Sequence, residues 1–154
     1  MRLAALALWL GAALPAVAQP SAGISLSGRI AHPRTVTPAE LAAAPVVAVA
    51  APSSKPGAPA TKFTGALLWP LLESAGWVDL PGRKMHLQHV IMVRGADGYT
   101  VALSIAEIDP AFEGKPVIIA GTQDGKPLAS PELVVPGDHR AGRRVHDVVA
   151  IDVQ

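Results

Sequence analysis

The chain reads as a strand-dominated α+β domain with two short helices. Half of its 154 residues are hydrophobic and only 16% are charged, so a sizeable apolar core is easily supplied. Segments with the two-residue period of half-buried strands recur along the length. Only two segments combine helical spacing with identifiable caps, and many strands with few helices make a layered α+β architecture. There is no cysteine, so this core has no disulfide to assist it.

The N-terminus has Arg2 as a positive region, an apolar run over residues 3–14 and Ala16-Val17-Ala18 as a small-residue cleavage site. This predicts a secretory signal over 1–18 and one mature domain over 19–154. The run is shorter than the roughly 20 residues a bilayer span requires, and Pro15 interrupts it. An uncleaved N-terminal anchor is the alternative. No later segment is long and apolar enough to span a membrane, which predicts a soluble protein, periplasmic or secreted.

Ile24-Ser25-Leu26-Ser27-Gly28-Arg29-Ile30 alternates as a half-buried strand does, and Pro33 follows. Thr37 is an N-cap residue before Pro38 at the first helical position and Glu40 in the first turn, where the helix dipole favours a carboxylate. A short helix to about Ala43 follows, and Pro45 stops it. Residues 46–50 are expected as a buried strand, and 52–60, made of Pro, Ser, Gly and Ala with one Lys, as an exposed loop. Leu67, Leu68, Leu71, Leu72 and Ala75 share one helical face. Pro70 fits only the first turn of that helix, and Gly76 caps its end.

Residues 87–94 are expected as a strand, turned by Ala96-Asp97-Gly98 into a second over 99–104, an antiparallel hairpin. A helical turn or loop covers 106–112. Residues 117–121 are a buried strand, Asp124-Gly125 a tight turn, and 133–135 a short strand closed by Pro136-Gly137. In the terminal strand Val145, Asp147, Val149, Ile151 and Val153 would share one face, with His146, Val148, Ala150 and Asp152 on the other.

Thirteen Lys and Arg face 12 Asp and Glu, and the counts become equal once Arg2 is removed. That balance argues against nucleic-acid binding, which rests on neutralising many phosphates. Neither a G-x-S-x-G elbow nor an S-x-x-K motif is present, which argues against nucleophilic hydrolysis. His86 and His89 have an H-x-x-H spacing, but in a strand an offset of three puts them on opposite sides, so no metal is expected there. Gly121-Thr122-Gln123-Asp124-Gly125-Lys126 is one residue short of a phosphate loop, and Pro127 cannot start the helix such a loop needs. The remaining candidate is a cationic loop, where His139, Arg140, Arg143, Arg144 and His146 lie within eight residues. Guanidinium groups so close can clamp a phosphate or carboxylate in bidentate fashion. A solvated loop, partly neutralised by Asp138 and Asp147, is the alternative.

Several motifs, in order, resemble the oxidoreductase molybdopterin-binding domain family, the sulfite oxidase type. They are Leu26-Ser27-Gly28 with the Pro38-Ala39-Glu40-Leu41 helix, Phe63-Thr64-Gly65-Ala66-Leu67-Leu68 with Leu71-Leu72-Glu73-Ser74-Ala75-Gly76, then Asp97-Gly98-Tyr99, Asp124-Gly125-Lys126-Pro127-Leu128 and Val134-Val135-Pro136-Gly137. The resemblance implies an α+β fold with layered β-sheet and a β-grasp-like portion. It also implies a pterin held by basic residues after the Pro-Gly turn, in a pattern like G-x-R-x-V-K-W. Arg143 and Val145 fall on the Arg and Val of that pattern, whereas His146 replaces Lys and Asp147 replaces Trp. Leu133 stands where the family tends to carry an Arg. The cysteine that ligates molybdenum in the family has no counterpart here.

Folded pterin proteins are exported through a twin-arginine signal, and Arg2 stands alone before the apolar run. The expectation is therefore an exported, non-catalytic anion-binding or accessory module without its own metal and with no cofactor. Arg143, Arg144, Arg140, His139 and His146 would line its site, with Asp97 and Tyr99 on the neighbouring hairpin turn. Its ligand would be an anionic small molecule or a periplasmic partner protein. The alternative is a molybdopterin-dependent oxidoreductase, or a subunit of one, with the metal held by non-protein ligands or by a partner chain.

Overall fold

The computed structural model describes residues 23–55, 57–78 and 85–154. The signal expected over 1–18 lies outside them. Among the described residues nine strands form two sheets: β1 (Ile24–Gly28), β2 (Arg34–Val36), β3 (Val46–Ala51), β4 (Thr61–Leu67), β5 (Val90–Gly95), β6 (Thr100–Ser104), β7 (Ile118–Gln123), β8 (Lys126–Val134) and β9 (Val148–Val153). One sheet has the order β2-β1-β9-β5-β6 and the other β3-β4-β7-β8. All pairings are antiparallel except β1 with β9. Among the described residues no helix is long and apolar enough to cross a membrane.

The main core fills the space between the sheets. Ile24, Leu26, Ile91, Val93, Leu103, Ile151 and Val153 enter it from the first sheet, and Ala66, Ile119 and Leu133 from the second. Successive strand residues face opposite ways, so Phe63, Ile118, Ala120 and Val134 build a smaller apolar cluster on the other side of the second sheet. Arg144 of the cationic loop lies over Phe63 of that second cluster.

Both expected helices form. α1 (Pro38–Ala43) starts in a reciprocal capping box, in which the Glu40 amide donates to the Thr37 hydroxyl (3.2 Å) and the Thr37 amide to the Glu40 carboxylate (2.7 Å). α2 (Leu68–Ala75) buries Leu68, Leu71, Leu72 and Ala75, the face its spacing predicted except that Leu67 precedes the helix. The turn expected after β6 is a single helical turn, α3 (Ile105–Ile108), capped by Ser104 and Glu107.

Five expectations need correction. β3 is an edge strand with Val46 52% exposed, not a buried one, because only β4 pairs with it. β2 escaped notice because three residues carry no measurable period. β8 runs nine residues rather than three, since Pro127 and Pro131 are tolerated at a sheet edge. His86 lies in a 3-10 turn over Met85–Gln88 that delays β5 until Val90. In β9, Arg94 pairs with Ala150 but Gly95 with Val148, leaving Val149 as the extra residue of a β-bulge. The bulge shifts the alternation by one, so Val148 is buried and Val149 exposed, opposite to the simple period.

Candidate functional site

Pro136 and Gly137 end β8, and Gly137 takes a positive φ of 83° that a side chain would resist. The chain then passes through a 3-10 turn at Ala141–Arg143. Four contacts hold it. The Tyr99 hydroxyl, from the β5–β6 hairpin, donates to the Gly142 carbonyl (2.6 Å). Val145 and Leu133 exchange backbone hydrogen bonds (2.8 and 3.2 Å), and the Ala96 amide donates to the Asp147 carbonyl (2.9 Å). The fourth is Arg143. Its Nε and Nη2 donate to Asp138 at 2.9 and 2.5 Å, and its Nη1 donates to Glu107 on α3 at 2.9 Å.

These pairs reshape the electrostatics. The hydrogen bonds from Arg143 hold the Asp138 carboxyl below its usual range against the opposing effect of burial. For Glu107 burial pushes upward, but the bonds from Arg143 and from the Ser104 amide outweigh it, and its pKa falls. The Arg143 guanidinium is held charged still more firmly, first by Asp138 and then by Glu107.

Arg144 is the second anchor. Its guanidinium carbon lies 5.3 Å from the Phe63 ring centroid, a cation–π arrangement, and its Nη2 donates to the Ser54 hydroxyl. Its Nε is 3.5 Å from Glu132, a buried carboxylate. His146 occupies the other oxygen of Glu132 through Nδ1 at 2.8 Å.

The predicted cluster is therefore divided. Arg143, Arg144 and His146 turn toward carboxylates and hold the loop, while His139 and Arg140 are exposed and line a cleft of about 960 Å³. The opposite wall is formed by residues 52–55 with Gly57, Ala58 and Ala60. Asp138 also lines the cleft, but its carboxylate is engaged by Arg143. Among the described residues Lys55 and Arg140 have no ion-pair partner, so the cleft carries a positive rim, to which His139 adds a ring nitrogen. Asp97 accepts from the Tyr99 amide (2.9 Å). It shapes the hairpin, and neither it nor Tyr99 borders the cleft. Sequence reasoning missed Lys55, whose one signal was to be the single charge in a Pro, Ser, Gly and Ala loop. It also missed Glu107 and Glu132, whose pairing with the loop is a long-range event.

The H-x-x-H pair is not placed in a strand as expected, since His86 lies in the 3-10 turn over Met85–Gln88 and His89 just before β5. His86 Nε2 is 3.6 Å from Asp109, while His89 is buried, stacked on Trp77 and directed through Nδ1 to the Gln154 carbonyl (3.1 Å). Among the described residues no three His, Cys, Asp or Glu converge as metal ligands do.

No protein-family profile matches the chain, and no curated protein is similar to it in sequence. Among solved structures, the sulfane dehydrogenase SoxCD from Paracoccus pantotrophus is similar, with a TM-score of 0.68 and 16% identity. The similarity covers 89% of this chain and 39% of that one, so the chain spans well under half of the neighbour's length. At such identity the likeness is one of fold, and it is the strand-rich, two-sheet α+β fold that the ordered motifs implied. The residues do not fit the metal group that the resemblance implies. No thiolate exists anywhere in the chain, and Arg143, matched to a pterin-holding arginine, has its donors on Asp138 and Glu107.

Proposed function

We propose that this chain is an exported, non-catalytic module that takes an anionic ligand in the cleft between residues 52–55 and residues 137–142. The observation that carries the reading is the division of charge: Arg143 and Arg144 are paired with carboxylates, while Lys55 and Arg140 leave the cleft rim cationic. The Ser53 and Ser54 hydroxyls and the loop amides add hydrogen-bond donors. A fold related to that of a dehydrogenase, without a cysteine, supports binding rather than redox chemistry. Titration of ¹⁵N-labelled protein with inorganic phosphate tests it. The amides of Ser53, Ser54 and residues 137–142 are expected to shift, and Arg140→Ala to weaken binding about threefold, as loss of one exposed charge implies. A spectrum that phosphate leaves unchanged refutes the reading. N-terminal sequencing of the protein from its native host tests export, with Gln19 expected first.

A second reading, a molybdopterin-dependent oxidoreductase or a subunit of one, draws on the likeness to a sulfane dehydrogenase. It requires a metal held by non-protein ligands or by a partner chain. Molybdenum analysis of natively purified protein, with pterin fluorescence after oxidation, separates the two readings. Stoichiometric molybdenum would displace the first.

A further inference from the structure

β3 is unguarded. It forms one edge of its sheet and its sequence, Val46-Val47-Ala48-Val49-Ala50-Ala51, contains no charge, proline or glycine. Folded proteins usually blunt such edges. Here β2 is only three residues long and carries Arg34, and β8 carries Pro127 and Pro131.

The phase of the β3 ladder identifies the free groups. The Leu67 amide donates to the Pro45 carbonyl at 3.2 Å, and from there the register pairs Val47 with Gly65, Val49 with Phe63 and Ala51 with Thr61. Antiparallel pairs alternate between hydrogen-bonded and non-hydrogen-bonded. Val47, Val49 and Ala51 therefore bond to β4, while Val46, Ala48 and Ala50 direct their N–H and C=O groups out of the sheet. Lys62, opposite Ala50, agrees with this phase. Its amide donates to Asp124 Oδ1 (3.0 Å) and its carbonyl accepts from the Asp124 amide (2.7 Å), both away from β3.

The strand ends at the cationic cleft, since Ala50 and Ala51 are both its last residues and part of the cleft wall. A cleft of about 960 Å³ is far larger than a single oxyanion needs, and among the described residues no Phe, Tyr or Trp lines it. We propose that the ligand is an extended acidic peptide segment of a partner protein, which adds as a strand to β3 and sets its carboxylates against Lys55, His139 and Arg140. Main-chain bonds to Val46, Ala48 and Ala50 would supply affinity independent of side-chain identity, and the cationic rim would select for acidic residues. This inference rests on the cleft being an anion site and adds the class of ligand.

The test uses the full mature chain and a fluorescein-labelled peptide with a Val-Thr-Val-Thr-Val centre and a glutamate pair at each end. Anisotropy is expected to rise on binding, and the same peptide with lysines in place of the glutamates is expected to bind at least about tenfold more weakly. Ala48→Pro removes an outward amide and leaves the β4 ladder intact. It should weaken peptide binding about tenfold, as loss of one or two strand hydrogen bonds implies, while phosphate still shifts the cleft amides. Amide exchange on the unaltered protein gives a readout that needs no variant: the peptide should slow exchange at Val46, Ala48 and Ala50 and not at Val47 or Val49. Phosphate binding without peptide binding overturns this inference and spares the anion site, whereas failure of both overturns both. Equal binding of the lysine peptide, unchanged exchange at the outward amides, or protection of those amides by self-association instead of by peptide would each overturn it as well.

Discussion

Arg143→Ala is the perturbation that best tests the account of the cationic loop. The substitution removes three charge-assisted hydrogen bonds, two to Asp138 and one to Glu107, and leaves Asp138 without its cation and Glu107 with Lys115 alone, at 3.4 Å. Hydrogen bonds to charged groups contribute about 1.5–3 kcal/mol each when well sheltered. The Arg143 side chain is 32% exposed, so solvent screening reduces the sum, and we expect a loss of about 2–3 kcal/mol. For a domain of this size that lowers Tm by about 6–12 °C. Urea and thermal denaturation measure it, and a double-mutant cycle with Asp138→Ala should return a coupling of about 1–2 kcal/mol.

The pH dependence follows with a definite sign. Asp138 and Glu107 both titrate below their ordinary values in the folded protein. Their contribution is present above the unfolded carboxylate values, near pH 4, and is lost as the pH falls through the depressed folded values. The difference between wild type and Arg143→Ala should be full at pH 7 and shrink below about pH 4. A loss under about 0.5 kcal/mol at pH 7, or the same loss at pH 3, would refute the assignment of Arg143 as the loop's anchor.

Three other outcomes are expected. Gly65→Ala should destabilise by more than about 2 kcal/mol in urea titrations, because a Cβ there would collide with the Ile119 carbonyl oxygen and the Ala120 backbone across the ladder; a neutral effect would contradict that close approach. Val149→Thr should change stability by less than about 0.5 kcal/mol, while Ile151→Thr should lose about 2 kcal/mol or more, since the bulge leaves Val149 outside and Ile151 1% exposed; similar losses at both sites would argue against the bulge. Thr37→Ala should lose about 1 kcal/mol through the capping box of α1, and no change in the unfolding midpoint would contradict the cap.

The elements most legible from sequence were those specified by local chemistry. Thr37, Pro38 and Glu40 announced the start of α1, and Gly76 the end of α2, because caps are satisfied within a few residues. Asp124-Gly125 marked its hairpin since both residues take positive φ, 49° and 78°. The candidate site was half legible. His139 and Arg140 do line the cleft, but the run of cations gave no means of separating them from Arg143 and Arg144, whose partners are distant in the chain. Val149 was misread because strict alternation assumes an unbroken ladder, and the bulge is registered against Arg94 and Gly95 of β5.

By itself the amino-acid sequence determined the strand-rich α+β class, the two principal helices and the absence of a thiolate ligand, since each depends on composition, short-range period or capping. Tertiary structure alone decided which arginines are occupied. Glu107 lies 36 residues from Arg143, and Ser54 lies 90 from Arg144. It also decided that β3 ends its sheet with a free edge beside the cleft. Pairing and neutralisation depend on which distant segments meet in space, and no local period encodes that.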